Sequence, residues 1–132
     1  MSWDILLRRN YPKIKQLGID LNGVNTLRFD GNENLEHKLI KFLICHNLFE
    51  AGHHFMTEQP IKEAICDVID LDTLIIYEIE ANATLSKSKE KLEAFYHPYI
   101  EDIVIIDLRK LSFDRLEIVT LSDEVRRFCN VK

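Results

Sequence analysis

Residues 64–80, AICDVIDLDTLIIYEIE, constrain the fold of this chain more than any other stretch. Two runs rich in Ile, Val, Leu and Tyr flank a short break at Leu71-Asp72, the pattern of a buried β-hairpin. Yet Asp67, Glu78 and Glu80 stand inside the strand runs. Side chains alternate along a strand. Ile65, Asp67 and Ile69 are therefore expected on one face, and Leu74, Ile76, Glu78 and Glu80 on one face of the next strand. An even-length turn centred on Leu71-Asp72 sets Asp67 opposite Ile76 and makes these the same face. Asp67 then lies diagonal to Glu78, at roughly 7–8 Å between backbones. An apolar face that turns acidic at one end is expected to floor a cleft.

The flanking segments supply what such a hairpin packs against. DGNENLEHKLIKFLICHNLFEAG reads as a helix, with Asn32 or Asn34 as cap, Glu33 and Glu36 in the first turn and Gly52 past its end. Leu35, Leu39, Phe42, Leu43 and Cys45 or His46 through Phe49 repeat at helical spacing. HHFMTEQ reads as a strand closed by Pro60. LSKSKEKLEAFYH reads as a second helix, stopped at Pro98. DIVIIDL is a continuous apolar run, expected as a strand covered on both faces. At the ends, WDILLRRNY is expected as a short helix stopped near Pro12, VNTLRF as an edge strand, RLEIVTL as a further strand, and SDEVRRFC as a terminal helix capped by Ser122 or Asp123. The order helix, three strands, helix, strand implies an α/β fold with a mixed β-sheet flanked by helices.

A chain of 132 residues is expected to form a single domain, 1–132. No apolar run approaches the ~20 residues of a membrane span, and the N-terminus has no signal-peptide pattern. The expectation is a cytoplasmic protein with no membrane partner. Cys45, Cys66 and Cys129 are odd in number, widely spaced and set among apolar residues, so they are expected as small buried hydrophobes rather than disulfides. Cys45, His46, His53, His54 and Cys66 match no tetrahedral zinc spacing. There is no Gly-rich phosphate loop, nucleophile elbow or dinucleotide fingerprint. The net charge of −5 is not the basic footprint of a passive nucleic-acid binder. Contact with nucleic acid would need a local basic patch, a divalent cation or a protein partner supplying basic surface. The basic clusters are RRN at 8–10, KIK at 13–15, LSKSKEK and VRRF.

Carboxylates that converge at a hairpin repel one another unless a divalent cation lies between them. Oxygen ligands with open water positions suit Mg²⁺ or Mn²⁺, and such an ion can activate water for attack on a phosphodiester. Here the residues meet a known pattern. AICDVIDLDTLIIYEIE resembles the core of the PD-(D/E)XK nuclease superfamily, the restriction-endonuclease-like fold: an acid on one strand, about ten intervening residues, then acid-x-Lys on the next. Asp67 matches the first acid, Glu78 the second, and Glu80 occupies the lysine position. The surrounding α-β-β-β-α-β order extends the resemblance over about residues 33–108. Cys66 replaces the common Pro before Asp67.

The resemblance implies a metal-dependent endonuclease acting on DNA, duplex or branched. Asp67, Glu78 and the Ile79 carbonyl would bind Mg²⁺ or Mn²⁺, Glu80 would be a ligand or base, and Glu36 would add a helix carboxylate. Glu58 stands where some members carry another polar residue. Lys89, in line with Leu85, Leu92 and Tyr96, would supply the missing positive charge from the second helix. Lys87 and Lys91 are expected on the solvated face. A homodimer is expected because cutting both strands of a duplex needs two sites. The alternative is a catalytically inactive module of the same fold that binds or assembles within a nucleic-acid-processing complex. A third reading is an unrelated α/β domain whose acidic hairpin is only a solvated face.

Overall fold

The computed structural model describes residues 5–111 and 118–129. It is a mixed α/β fold with a four-stranded sheet and helices on both faces. The order is α1 (Ile5–Gln16), α2 (Leu35–Glu50), β1 (Phe55–Ile61), β2 (Ala64–Asp70), β3 (Ile75–Glu80), α3 (Leu85–Ala94), β4 (Asp102–Asp107) and α4 (Ile118–Cys129). The strands lie in the order β1-β2-β3-β4, with β1, β2 and β3 antiparallel in succession and β4 parallel to β3. A parallel return needs a crossover, and α3 supplies it.

Two apolar cores sandwich the sheet. On one face Ile40, Leu43, Ile44 and Leu48 of α2 and Leu121 and Val125 of α4 pack on Phe55, Val68, Tyr77, Ile79 and Ile106. On the other, Leu7 and Ile14 of α1 and Phe95, just past α3, pack on Met56, Ile69 and Ile76. The Tyr77 hydroxyl donates to the Cys129 carbonyl at 3.0 Å, tying α4 to β3. All three cysteines are buried and unbonded.

Helix α2 starts and stops as its sequence prescribes. The Asn34 side chain accepts the His37 N–H at 2.8 Å, and Gly52 takes a φ of +81° after the last turn. Its buried face matches the expected one at Leu39, Leu43 and Cys45 and departs from it elsewhere. Leu35, Phe42 and Phe49 are exposed, and Ile40, Leu43, Ile44 and Leu48 are buried.

Four further expectations are corrected. Helix α1 runs through Pro12 rather than stopping there. Burial of Leu7 and Ile14, either side of the proline, offsets a helix-interior cost of about 3 kcal/mol. Strand β1 continues through Pro60 to Ile61, which an edge strand tolerates because no N–H is needed on its open side. Residues 24–29 form no strand. They lie along β1 and bind it partly through side chains: Phe55 N–H donates to Asn25 Oδ1, and Thr57 Oγ1 takes the Arg28 N–H and donates to the Thr26 carbonyl. Residues 118–121, expected at the end of a strand, open α4, because Leu121 and Val125 gain burial on one helical face. Residues 112–117 and 1–4, where parts of the terminal expectations fall, lie outside the described residues.

Candidate active site

The hairpin turn spans residues 71–74, so it has even length but is centred further along than expected. Its register pairs Ile69 with Ile76 and Val68 with Tyr77. Asp67 therefore falls at the level of Glu78, not opposite Ile76 and diagonal to Glu78. There the ladder opens and side chains take over from backbone. The Asp67 N–H donates to Glu78 Oε2 at 2.6 Å, and the Ile79 N–H donates to Asp67 Oδ2 at 2.8 Å.

The facing pattern also inverts at this level. Glu58 on β1 has a φ of +50°, strained for a residue with a side chain. On either side of it Met56 and Ile61, of opposite parity, enter the same core. Cys66 and Ile69 do likewise around Asp67. The expected common face of Ile65, Asp67 and Ile69 is thus broken: Ile65 is exposed, Ile69 is buried, and Asp67 turns toward α2.

Glu78 is buried, and both its oxygens are engaged. Oε2 holds Asp67, and Oε1 lies 2.9 Å from Lys91 Nζ. Glu80 is half-buried, 3.6 Å from the same ammonium. The lysine of α3 that reaches the acids is Lys91, not Lys89. Leu85, Lys89, Leu92 and Tyr96 lie on the outer face, whereas Phe95 buries fully and brings Lys91 down onto the sheet. Burial pushes the Glu78 carboxyl up to about 7, with the charge of Asp67 adding to the rise and the Asp67 N–H and Lys91 opposing it. Burial opposes the charge on Lys91, but its bonds and attraction to Glu78, Glu80 and Asp67 outweigh that and raise its pKa.

On the α2 side a cavity of about 310 Å³ is lined in part by Glu33, His37, Glu58, Asp67, Ala81 and Leu108. Lys41 is fully buried at its back. Its ammonium binds Glu33 Oε1 at 2.6 Å, the Arg28 carbonyl at 3.0 Å, and Glu58. Glu33 Oε1 also accepts the Asp30 N–H at 2.8 Å, and Oε2 meets His37 Nδ1 at 2.9 Å. Burial raises the Glu33 pKa, but the bonds from Lys41 and Asp30 prevail and bring it down to about 2. Glu33 is therefore ionised and can only accept, so His37 Nδ1 carries the proton of that bond. His37 Nε2 faces Asp67 Oδ2 at 3.5 Å. Burial opposes charging of His37, but Asp67 and Glu33 outweigh it and raise its pKa. Burial raises the pKa of Glu58, with Glu33 adding to it and Lys41 opposing.

Asp67, Glu78 and the backbone of Ile79 thus meet, whereas Glu80 is linked to Glu78 only through Lys91, and among the described residues the three possible metal ligands within 4.8 Å of one another are Glu33, His37 and Asp67. Glu36 is exposed on α2 and does not line the cavity, and Lys89 is exposed as well. Glu33, His37, Lys41 and Lys91 are the residues sequence reasoning missed. Glu33, His37 and Lys41 follow an i, i+4, i+8 line that leads from the helix cap into an apolar stretch. That line was the available signal. Family models, curated proteins and solved structures yield no match to this chain.

Proposed function

We propose that the protein is a metal-dependent nuclease that hydrolyses phosphodiester bonds, in DNA by preference, on a restriction-endonuclease-like α-β-β-β-α-β core. The observation that carries this is the meeting of Asp67 and Glu78 where the β2–β3 ladder opens, with Lys91 reaching over from the crossover helix. The element order α2-β1-β2-β3-α3-β4 supports the same core.

Carboxylate and carbonyl oxygens are donors of the type that suits a hard divalent cation. Two carboxylates are crowded enough that the charge of Asp67 helps hold the Glu78 pKa near 7, and a cation beside them relieves that repulsion. Asp67 and Glu78 would hold Mg²⁺ or Mn²⁺, with the Ile79 carbonyl and Glu80 within the same group. When bound, the ion supplies Lewis-acid polarisation of the phosphate and a more acidic water. The chain supplies the rest. Lys91, neutralised by Glu78 and Glu80 while at rest, places a positive charge where phosphate charge develops. Lys91 thereby replaces the lysine that Glu80 displaces on β3. Exposed Lys87 and Lys89 on α3 add phosphate contacts on a chain that is acidic overall.

One observation favours the inactive binding or assembly module instead. Both Glu78 oxygens already have partners, and Lys91 sits between Glu78 and Glu80. The deciding experiment incubates plasmid and branched DNA with Mg²⁺ or Mn²⁺, comparing wild type with Asp67→Ala. Cleavage lost in the variant supports the nuclease. Equal cleavage in both removes it, and salt-sensitive DNA binding without cleavage favours the module.

A further inference from the structure

We propose that His37 Nε2 and Asp67 together ligate a divalent cation of the Mn²⁺ and Zn²⁺ class, with Glu33 as the carboxylate that orients the imidazole. This deepens the nuclease reading and rests on it for the place of Asp67. Among the described residues, Glu33, His37 and Asp67 form a set whose potential ligand atoms all lie within 4.8 Å of one another.

The distances separate the roles within that set. Nε2 and Oδ2 are 3.5 Å apart, beyond a good hydrogen bond of about 2.7–3.2 Å. Two ligand atoms on one ion, each about 2.1 Å from it at a tetrahedral angle, stand about 3.4 Å apart. Glu33 is not free to join them, since Oε1 is taken by Lys41 and Asp30 and Oε2 by His37. It occupies the position of the outer carboxylate that fixes the tautomer and ring plane of a metal-binding histidine. Lys41, which shows no solvent exposure, anchors that carboxylate to β1 and to the loop before α2. The imidazole is therefore aimed before any ion arrives. Asp67 is braced in turn by the Ile79 N–H.

An imidazole in the set changes the metal. Mg²⁺ takes oxygen ligands and keeps its waters, whereas Mn²⁺ and Zn²⁺ accept nitrogen. This pair lies on the α2 side of Asp67, beside a cavity of about 310 Å³ that Glu78 and Glu80 do not line, so an ion held here by two protein ligands keeps positions for water and a phosphate oxygen.

The test is Mn²⁺ titration of the full chain by electron paramagnetic resonance, with Mg²⁺ as competitor and nitrogen hyperfine modulation as the signature of His37. Wild type should bind Mn²⁺ at least about tenfold tighter than Mg²⁺ and show the modulation. His37→Gln should lose the modulation and about tenfold or more in affinity. Glu33→Gln should keep the modulation and lose about tenfold. Melting curves confirm that each variant is folded, and Asp67→Asn supplies an independent ligand deletion that should also weaken binding. Bound Mn²⁺ without nitrogen modulation overturns the proposal, as does a folded His37→Gln of unchanged affinity or a folded wild type that binds no Mn²⁺. Asp67-dependent DNA cleavage without nitrogen modulation would leave the nuclease and remove this site. Modulation without cleavage would do the reverse.

Discussion

Lys91 Nζ lies 2.9 Å from Glu78 Oε1, although ten residues of loop and helix separate Lys91 from the end of β3. Lys89, two positions earlier, faces solvent. On the nuclease reading, Lys91→Met should slow metal-dependent cleavage by about 10²-fold, the effect of losing one charge-stabilising donor. Lys89→Met should leave the rate constant of bound substrate close to wild type. Single-turnover cleavage of a labelled duplex distinguishes them, and equal losses would show that α3 contributes only general positive charge.

Glu78 gives the metal-free protein a pH signature. Its folded pKa of about 7 stands above the ordinary 4.5. Between those values the folded state holds more protons than the unfolded one, so stability falls as pH rises from 4.5 to 7 and this contribution is flat above. Glu78→Gln should lack that slope. Urea midpoints of both proteins from about pH 5 to about pH 8 check it, and parallel profiles would refute the raised pKa.

Lys41 is a buried cation between Glu33 and Glu58. Lys41→Met should destabilise the fold by about 3–5 kcal/mol, because two carboxylates lose their partner away from water. Replacing all three with residues of similar size and no charge should recover much of the loss. Urea unfolding of the single and triple variants measures both, and a triple variant no better than the single would show that the charges act independently.

The thiols should be inert in the native state. Burial pushes Cys45 and Cys129 up to about 12, and Cys66 well above its ordinary value. The thiolate is the reactive form, so a thiol reagent such as DTNB should label native protein negligibly and all three cysteines in urea. Rapid labelling of one thiol without denaturant would reveal local opening at that cysteine.

The central hairpin and α2 were legible because their signals are local. Asn34 caps, Gly52 terminates, and β-branched runs flank a short turn. The buried face of α3 was not legible, since Leu85 and Leu92 face outward while a lysine faces in. Apolar spacing on a single helix does not record a buried acid waiting on the sheet. IVTL in α4 failed for a related reason, because β-branched propensity gives way when a helix buries Leu121 and Val125. At the site, the nearness of Asp67 and Glu78 followed from their places either side of one short turn, but the parity argument gave the wrong register and the wrong common face. The companions of Asp67 on the α2 side were not legible, because the inversion at Glu58 turns Asp67 out of the alternation that placed it.

The loop laid along β1 has a consequence for how copies of the chain can meet. Asn25, Thr26 and Arg28 bind the first half of that strand, and Pro60 offers no N–H in the second half. An incoming strand would find its hydrogen-bonding positions occupied along one half and a donor missing from the other. Growth of the sheet from molecule to molecule is disfavoured on this side. On the nuclease reading, a pair of copies that brings two sites to opposite strands of a duplex is expected to meet through surfaces other than this edge.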